Sequence, residues 1–266
     1  MKILVPVKQV ATVDEDCEMR EDGKDVDLDY LDYELNEWDE YSWEEAVRLK
    51  ETHGNEVEIV PVTVGPESAE DGLRRCLAKG GERAIRVWDD ALEASDPIAV
   101  ARVLAKLVQR ENADLVLAGT LSSDHGFAAT GVAVAGLLGW AHAAVVSQLN
   151  ISPGTARITL RRELEEGLEE EITVRCPAVL TIQLGINEPR YASLRGIKQA
   201  KAKPLEVLSH SDLGLDDTEV GESGSLSRVR RMFAPERGQA ELIEGTAAEQ
   251  ASRIAEIIKE ATGGLQ

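Results

Sequence analysis

The stretch GTLSSDHGFAATG, positions 119–131, sets Ser122, Ser123, Asp124 and Thr130 among glycines at the start of a small-residue run, GFAATGVAVAGLLGW, that reads as a helix over 126–140. Hydroxyls beside backbone N–H groups that glycine leaves accessible, at a helix N-terminus, form an arrangement suited to an anion such as a nucleotide phosphate. An ordinary polar turn with an aspartate cap fits the same residues, so the local pattern leaves both readings open. Conventional catalytic patterns are absent: there is no G-x-S-x-G elbow, no H-E-x-x-H, no P-loop lysine and no G-x-G-x-x-G. His53, His125, His142 and His210 have no partner at ligand spacing, and Cys17, Cys76 and Cys176 lack metal-site spacing, so no metal is expected and no catalytic residue stands out.

A second stretch, GINEPRYASLRGIKQAKAKP at 185–204, has different chemistry. From Arg190 to Lys203 it holds five positive charges and no negative one, around Tyr191 and Leu194, in a chain with 49 acidic and 29 basic residues. Arg195, Lys198 and Lys201 recur at helical spacing, which suits a solvated helix face. An apolar side chain ringed by positive charge also suits docking, in which Leu194 fills a pocket while the charges steer an acidic partner.

The elements that must position these stretches follow from periodicity. The residues KILVPV (2–7) read as a buried strand, and Asn36 as the N-cap of a helix to about His53. VEIVPVTVG is a second strand; Pro66 opens a helix that stops at Gly80 and Gly81. ERAIRVW, DPIAVARVLAKLVQREN and ADLVLAG complete a strand, a helix and a fourth strand. This alternation predicts an α/β fold with a mostly parallel sheet, and ligands in such sheets bind beyond the carboxyl ends of the strands, here after Val7, Val64 and Gly119. A strand near 143–149, a hairpin of ARITLRREL and EEITVRC, and a buried strand PAVLTIQLG then lead into the basic strip. The residues GLDDTEVGESGSLS read as an extended, flexible connection to an amphipathic helix over about 246–259, which cannot bury its apolar face alone and docks on a partner or folds back. We therefore expect one domain over 1–207 and a C-terminal arm over 208–266.

A net charge of −20 argues against nucleic acid and anionic membranes as general partners. The excess concentrates between Asp14 and Glu45, where 16 acids face two bases; a solvated, partly irregular loop is the expectation there. The odd cysteine count suits a reducing compartment, and no run approaches the roughly 18 apolar residues of a membrane span, so a cytoplasmic protein is expected.

PAVLTIQLGINEPRYASLRGIKQAKAKPLE resembles the signature of the β subunit of electron transfer flavoproteins, and the likeness extends through KILVPVKQV, EEAVRLKE, VGP, VARVLAKL and DLVLAG. SSDHGFAATG, ASLRGIKQA and SRVRRMFAPERG are most similar to the branch from methylotrophic bacteria, which serves trimethylamine or dimethylamine dehydrogenase. The resemblance implies a Rossmann-like fold of the adenine-nucleotide α-hydrolase-like type. It implies a heterodimer with an α subunit that supplies most of the FAD site, one AMP held by this chain, and electrons taken from a dehydrogenase that docks on 185–204. The matching cofactor positions are Pro6; Asn36, Glu37, Trp38 and Asp39; Val64; and the loop containing Leu121, Ser122, Ser123, Asp124, Ala128, Ala129, Thr130, Gly131 and Val132. Trp38 matches an aromatic that approaches the flavin. Tyr191, Leu194, Arg195, Lys198 and Lys201 match the docking loop, with Leu194 as its anchor. Many members carry DDDCNQTGQ where this chain has SDHGFAATGV, so side-chain contacts to AMP do not transfer. The DGDTAQVGP-like loop of bifurcating members, which hold a second FAD, is absent. Besides a bifurcating subunit, a stand-alone adenine-nucleotide sensor of the stress-protein type is the other alternative.

Overall fold

The computed structural model describes residues 1–13, 17–151, 154, 157–235, 240 and 242–262. The chain forms two compact units, Met1–Arg231 and Met232–Gln266.

The first unit is built on a nine-stranded sheet. Its strands and helices come in the expected alternation: β1 (Lys2–Pro6), α1 (Glu37–His53), β4 (Glu58–Val64), α2 (Glu70–Lys79), β5 (Ala84–Val87), α3 (Pro97–Glu111), β6 (Leu115–Gly119) and α4 (Thr130–Leu138). A small antiparallel pair, β2 (Gln9–Val13) and β3 (Leu31–Leu35), stands between β1 and α1. Then follow β7 (Ala141–Ile151), β8 (Arg157–Glu163), β9 (Glu169–Arg175), β10 (Ala178–Ile182), the short α5 (Leu194–Ala200) and β11 (Leu205–Leu208). The order across the sheet is β11-β5-β4-β1-β6-β10-β7-β8-β9, with parallel pairing from β11 to β7 and antiparallel pairing for the β7-β8-β9 edge. The fold is therefore Rossmann-like α/β, as expected.

Valine, leucine and isoleucine fill both faces of the central strands, because helices cover both. One core layer sets Trp43 and Val47 of α1 and Leu73 and Leu77 of α2 against Ile3, Ile59 and Leu115. The other sets Val103, Leu104 and Leu107 of α3 and Val134 of α4 against Leu4, Val60 and Val116. Asp96 caps α3, its Oδ1 accepting the Ile98 and Ala99 N–H groups at 2.9 Å, with Pro97 in the first turn.

Four sequence expectations change. The acidic stretch is not only a loop: within it β3 pairs with β2 just ahead of it, with Val10 and Leu35 buried while Asp32 and Glu34 face solvent. α4 starts at Thr130 and not at 126, since Ala128 takes a left-handed φ of 51° and keeps Gly126–Ala129 in the loop. The segment read as a flexible connection is pinned: Leu215 and Val220 are buried, and a short turn of helix, α6 (Gly221–Gly224), lies against the 91–93 backbone. Consequently the first unit runs to Arg231 rather than ending at 207, and β11 joins the sheet beside β5. The second unit contains α7 (Ala247–Ala261), opened by a capping box in which Thr246 and Glu249 bond each other's backbone N–H. Ile254, Ile257 and Ile258 on it are exposed.

Candidate functional site

β1 is the strand at which the chain order reverses, with β4 on one side and β6 on the other. In a doubly wound sheet the crevice beyond such a switch point is the ligand site. A cavity of about 840 Å³ lies there, at the carboxyl ends of β1, β4 and β6, lined by Pro6, Val64 and Gly119. Its volume lies within the usual range for small-molecule sites.

One carboxyl group draws the crevice together. Asp39, in the first turn of α1, is buried, and its two oxygens accept the N–H of Lys8 at 2.8 Å and of Gly119 at 3.1 Å. Burial pushes its pKa up to about 7, although those hydrogen bonds and the Lys8 charge pull the other way. Gly119 has to be glycine: a Cβ there would stand 2.3 Å from Asp39 Oδ1.

Asn36, the N-cap position of α1, does not cap with its side chain. Its Nδ2 donates to the Leu121 carbonyl at 2.9 Å, and its Oδ1 accepts the Ser123 N–H at 3.2 Å, which ties the serine loop to the α1 terminus. Lys8 holds the same loop from the β1 side, donating to Asp124 at 2.7 Å and Ser122 at 3.2 Å. Burial alone would raise the Asp124 pKa; His125, Lys8 and Ser122 outweigh it and hold the carboxyl well below the usual range. Beyond this braced loop, Ala128, Ala129, Thr130 and Gly131 line the cavity, and the N-terminus of α4 has no side-chain cap. Its first-turn N–H groups are directed to an acceptor from outside the helix. The left-handed Ala128 is an uncommon conformation for a residue with a side chain, of the kind that marks functional loops.

The basic strip sorts its five charges by direction. Arg190 turns inward, its guanidinium paired with Glu44 at 2.8 Å and Glu51 at 2.5 Å. Burial would raise the Glu44 pKa, but Arg190 and Arg48 outweigh it and keep the group ionised below its ordinary range. Lys203 also points in, donating to the carbonyls of Leu77 and Gly81. Arg195, Lys198 and Lys201 are exposed, and none of the three enters an ion pair among the described residues. Between them Tyr191 is 99% exposed and Leu194 88%. α5 is nevertheless firmly seated: Ser193 caps it through Gly196 N–H at 3.0 Å, and Arg74 bonds the Ala200 and Lys203 carbonyls at 2.8 Å. A Cβ on Gly196 would lie 2.3 Å from the Ala78 carbonyl, so glycine lets α5 rest directly on α2.

The electron transfer flavoprotein domain family matches residues 26–213. A relative described as electron transfer flavoprotein subunit beta, from Methylophilus methylotrophus, is 56% identical over 263 residues, covering 99% of this chain and 100% of its own length. The chain belongs to the electron transfer flavoprotein β-subunit family. Relatives with the same description share 38% identity in Bradyrhizobium diazoefficiens, over 82% of this chain and 85% of theirs, and 35% in Bacillus subtilis, over 97% and 98%. Family membership sets aside the stand-alone stress-type sensor.

Set beside the sequence expectations, Pro6, Asn36, Asp39, Val64, Leu121, Ser122 and the Ala128–Gly131 backbone converge on the cavity. Glu37, Trp38, Ser123, Asp124 and Val132 do not line it. Glu37 and Val132 are exposed, while Ser123 and Asp124 act through the loop they brace. Trp38 turns toward the end of β10, where its Nε1 donates to Gln183 Oε1 at 3.1 Å. Sequence reasoning missed Lys8, Trp88 and Asp96, which also line the cavity. Lys8 could have been found, because it is the second residue past the carboxyl end of β1. Trp88 likewise directly follows β5. No helical membrane span occurs among the described residues.

Proposed function

We propose that this chain is the β subunit of a heterodimeric electron transfer flavoprotein, holding AMP in the switch-point cavity and docking an electron-donating dehydrogenase on 185–204. Its α subunit carries most of the FAD site, and the heterodimer passes electrons from an amine-, dimethylglycine- or acyl-CoA-type dehydrogenase to a respiratory-chain acceptor such as a quinone oxidoreductase. The observation that carries the reading is the cavity itself, bounded by three strand ends and an uncapped helix terminus behind a loop fixed from both sides by Asn36 and Lys8. These residues fit a mononucleotide: an apolar slot beside Val64 and Pro6 for a base, and the Ala128–Gly131 backbone for a phosphate.

In this reading no side chain of the chain acts as acid, base or nucleophile. The protein positions a cofactor whose chemistry is its own. Trp38, held by Gln183 outside the AMP cavity, is the residue offered to the flavin, and α7 with its exposed isoleucines is the arm offered to the α subunit.

Acid extraction of nucleotides from the chain coexpressed with its α subunit tests the reading. About one AMP and one FAD per heterodimer is the expected yield. A second FAD in place of AMP would make it a bifurcating subunit, and a stable heterodimer without flavin would refute the carrier role.

A further inference from the structure

Residues 219–229 form a strap that has no strand and only the four residues of α6, yet it is held to the α3 terminus by a dense set of bonds. Asp96 serves two segments at once. While its Oδ1 caps α3, its Oδ2 accepts the N–H of Leu226 at 2.8 Å, the N–H of Ser227 at 2.9 Å and the Ser227 hydroxyl at 3.1 Å. Its own N–H donates to Ser225 Oγ at 2.8 Å, and Ser225 Oγ donates to the Gly221 carbonyl at 2.7 Å. Arg102 bonds the Glu219 and Gly224 carbonyls, and Ser95 Oγ accepts the Gly221 N–H. Two glycines are compelled by contact: at φ +58°, Gly221 would put a Cβ 2.1 Å from the Ala91 carbonyl, and Gly224 would put one 2.2 Å from Glu219. So many side-chain-to-backbone bonds fix a short segment in one place.

There Glu222, Ser227, Arg228 and Val229 of the strap line the nucleotide cavity. The charges there differ in how they are occupied. Lys8 is committed to Asp124, Arg20 meets Asp22 and Asp25 at 3.6 and 3.8 Å, and Lys24 enters no ion pair among the described residues. Asp96 brings a negative charge, but five hydrogen bonds saturate it. Arg228 meets the Glu222 carboxylate only at 3.7 Å, and its Nη2 donates to the Glu222 carbonyl at 3.1 Å; its side chain is 61% exposed. Of the lining cations Arg20, Lys24 and Arg228, it is the guanidinium with the more exposed side chain, 61% against 41% for Arg20, and the one carried on the braced strap, and a guanidinium matches phosphate geometry.

We propose that the 219–229 strap is the outer wall of the nucleotide site, with Arg228 binding the phosphate of the mononucleotide and Asp96 acting as the positioning residue that seats the strap. The inference rests on the AMP reading above. It assigns a purpose to a nucleotide that takes no part in redox chemistry: the phosphate ties down the strap, whose end at 229 is three residues from Met232, where the second unit begins. AMP then braces the root of the C-terminal arm.

The test is calorimetric titration of AMP and of adenosine into nucleotide-stripped full-length protein, coexpressed with its α subunit. Arg228→Ala is expected to weaken AMP about tenfold to a hundredfold and adenosine less than about twofold, as loss of one charge-assisted contact implies. Arg228→Lys should restore part of the loss, and Arg230→Ala should change neither ligand. Asp96→Asn should speed AMP release and, by loosening the strap backbone, quicken trypsin cleavage at the 228–231 arginines. AMP affinity in Arg228→Ala within twofold of the unaltered protein, or an equal loss for adenosine, overturns the strap's role while leaving the AMP reading intact. Unaltered protein that binds neither ligand overturns both.

Discussion

Asp39 joins two strand ends with one carboxyl group, and the consequences can be measured. Replacing it with asparagine turns one accepting oxygen into a donor facing an N–H, leaving either Lys8 or Gly119 N–H without an acceptor. A loss of about 1–3 kcal/mol is expected in denaturant unfolding. The pH dependence has a definite sign. With the folded pKa raised to about 7 and the unfolded group titrating near the ordinary aspartate value, the Asp39 contribution is full in acid and is lost as pH rises through about 7. The Tm gap between the unaltered protein and Asp39→Asn should therefore narrow from about pH 5 to about pH 8; a gap that stayed constant over that range would show that the group is ionised throughout. Gly119→Ala attacks the same joint from the other side, pressing a methyl into Asp39, and should cost about 1–3 kcal/mol with loss of bound nucleotide.

The short helix α5 shows how a seven-residue element can present an exposed leucine in a fixed position. Gly196→Ala would collide with the Ala78 carbonyl and lift α5 from α2, so it should lower Tm and also weaken dehydrogenase docking, although residue 196 itself need touch no partner. Ser193→Ala, which removes only the cap, should cost about 1 kcal/mol and leave docking nearly unchanged. Retained docking in Gly196→Ala would show that Leu194 works from a flexible loop. Elements of this molecule were legible in proportion to how much of their burial is local. α3 could be read because Asp96, Pro97 and its apolar stripe lie in one window, and α7 because Thr246 and Glu249 are three apart. β11 could not, since only two of its four residues are even partly buried and it is a strand by virtue of β5 beside it. β2, and β3 within the acidic run, hid for the same reason: their pairing spans about twenty residues and leaves little apolar pattern. The strap was unreadable because its order comes from Asp96, about 130 residues away.

For the molecule as a whole, a net charge of −20 repels acidic partners everywhere except where charge is locally reversed. If the donor docks on α5, Leu194→Ala should raise the apparent dissociation constant at every ionic strength, whereas Lys198→Glu with Lys201→Glu should act mainly at low salt. Stopped-flow electron transfer from the dehydrogenase over a salt series separates the two, and unchanged rates in both variants would remove the strip from the docking surface. Much of the site was legible too: the strand ends pointed to the loops after Val7, Val64 and Gly119 and the family resemblance to Pro6, whereas Arg228 was reachable only once the chain had folded back on itself. The strip carries one more consequence through its place in the topology. It leaves β10 in the middle of the sheet and returns as β11 at the far edge, five strand spacings or about 24 Å away. The helix α5 thus lies on the crossover that delivers the strand sealing β5, and contacts so distant in sequence are slow to form. A chain that had not yet placed α5 would expose β5 as an open edge, which invites aggregation and clearance. Only finished molecules would then present α5, so if the donor docks there, the surface that receives it also certifies that the subunit has folded.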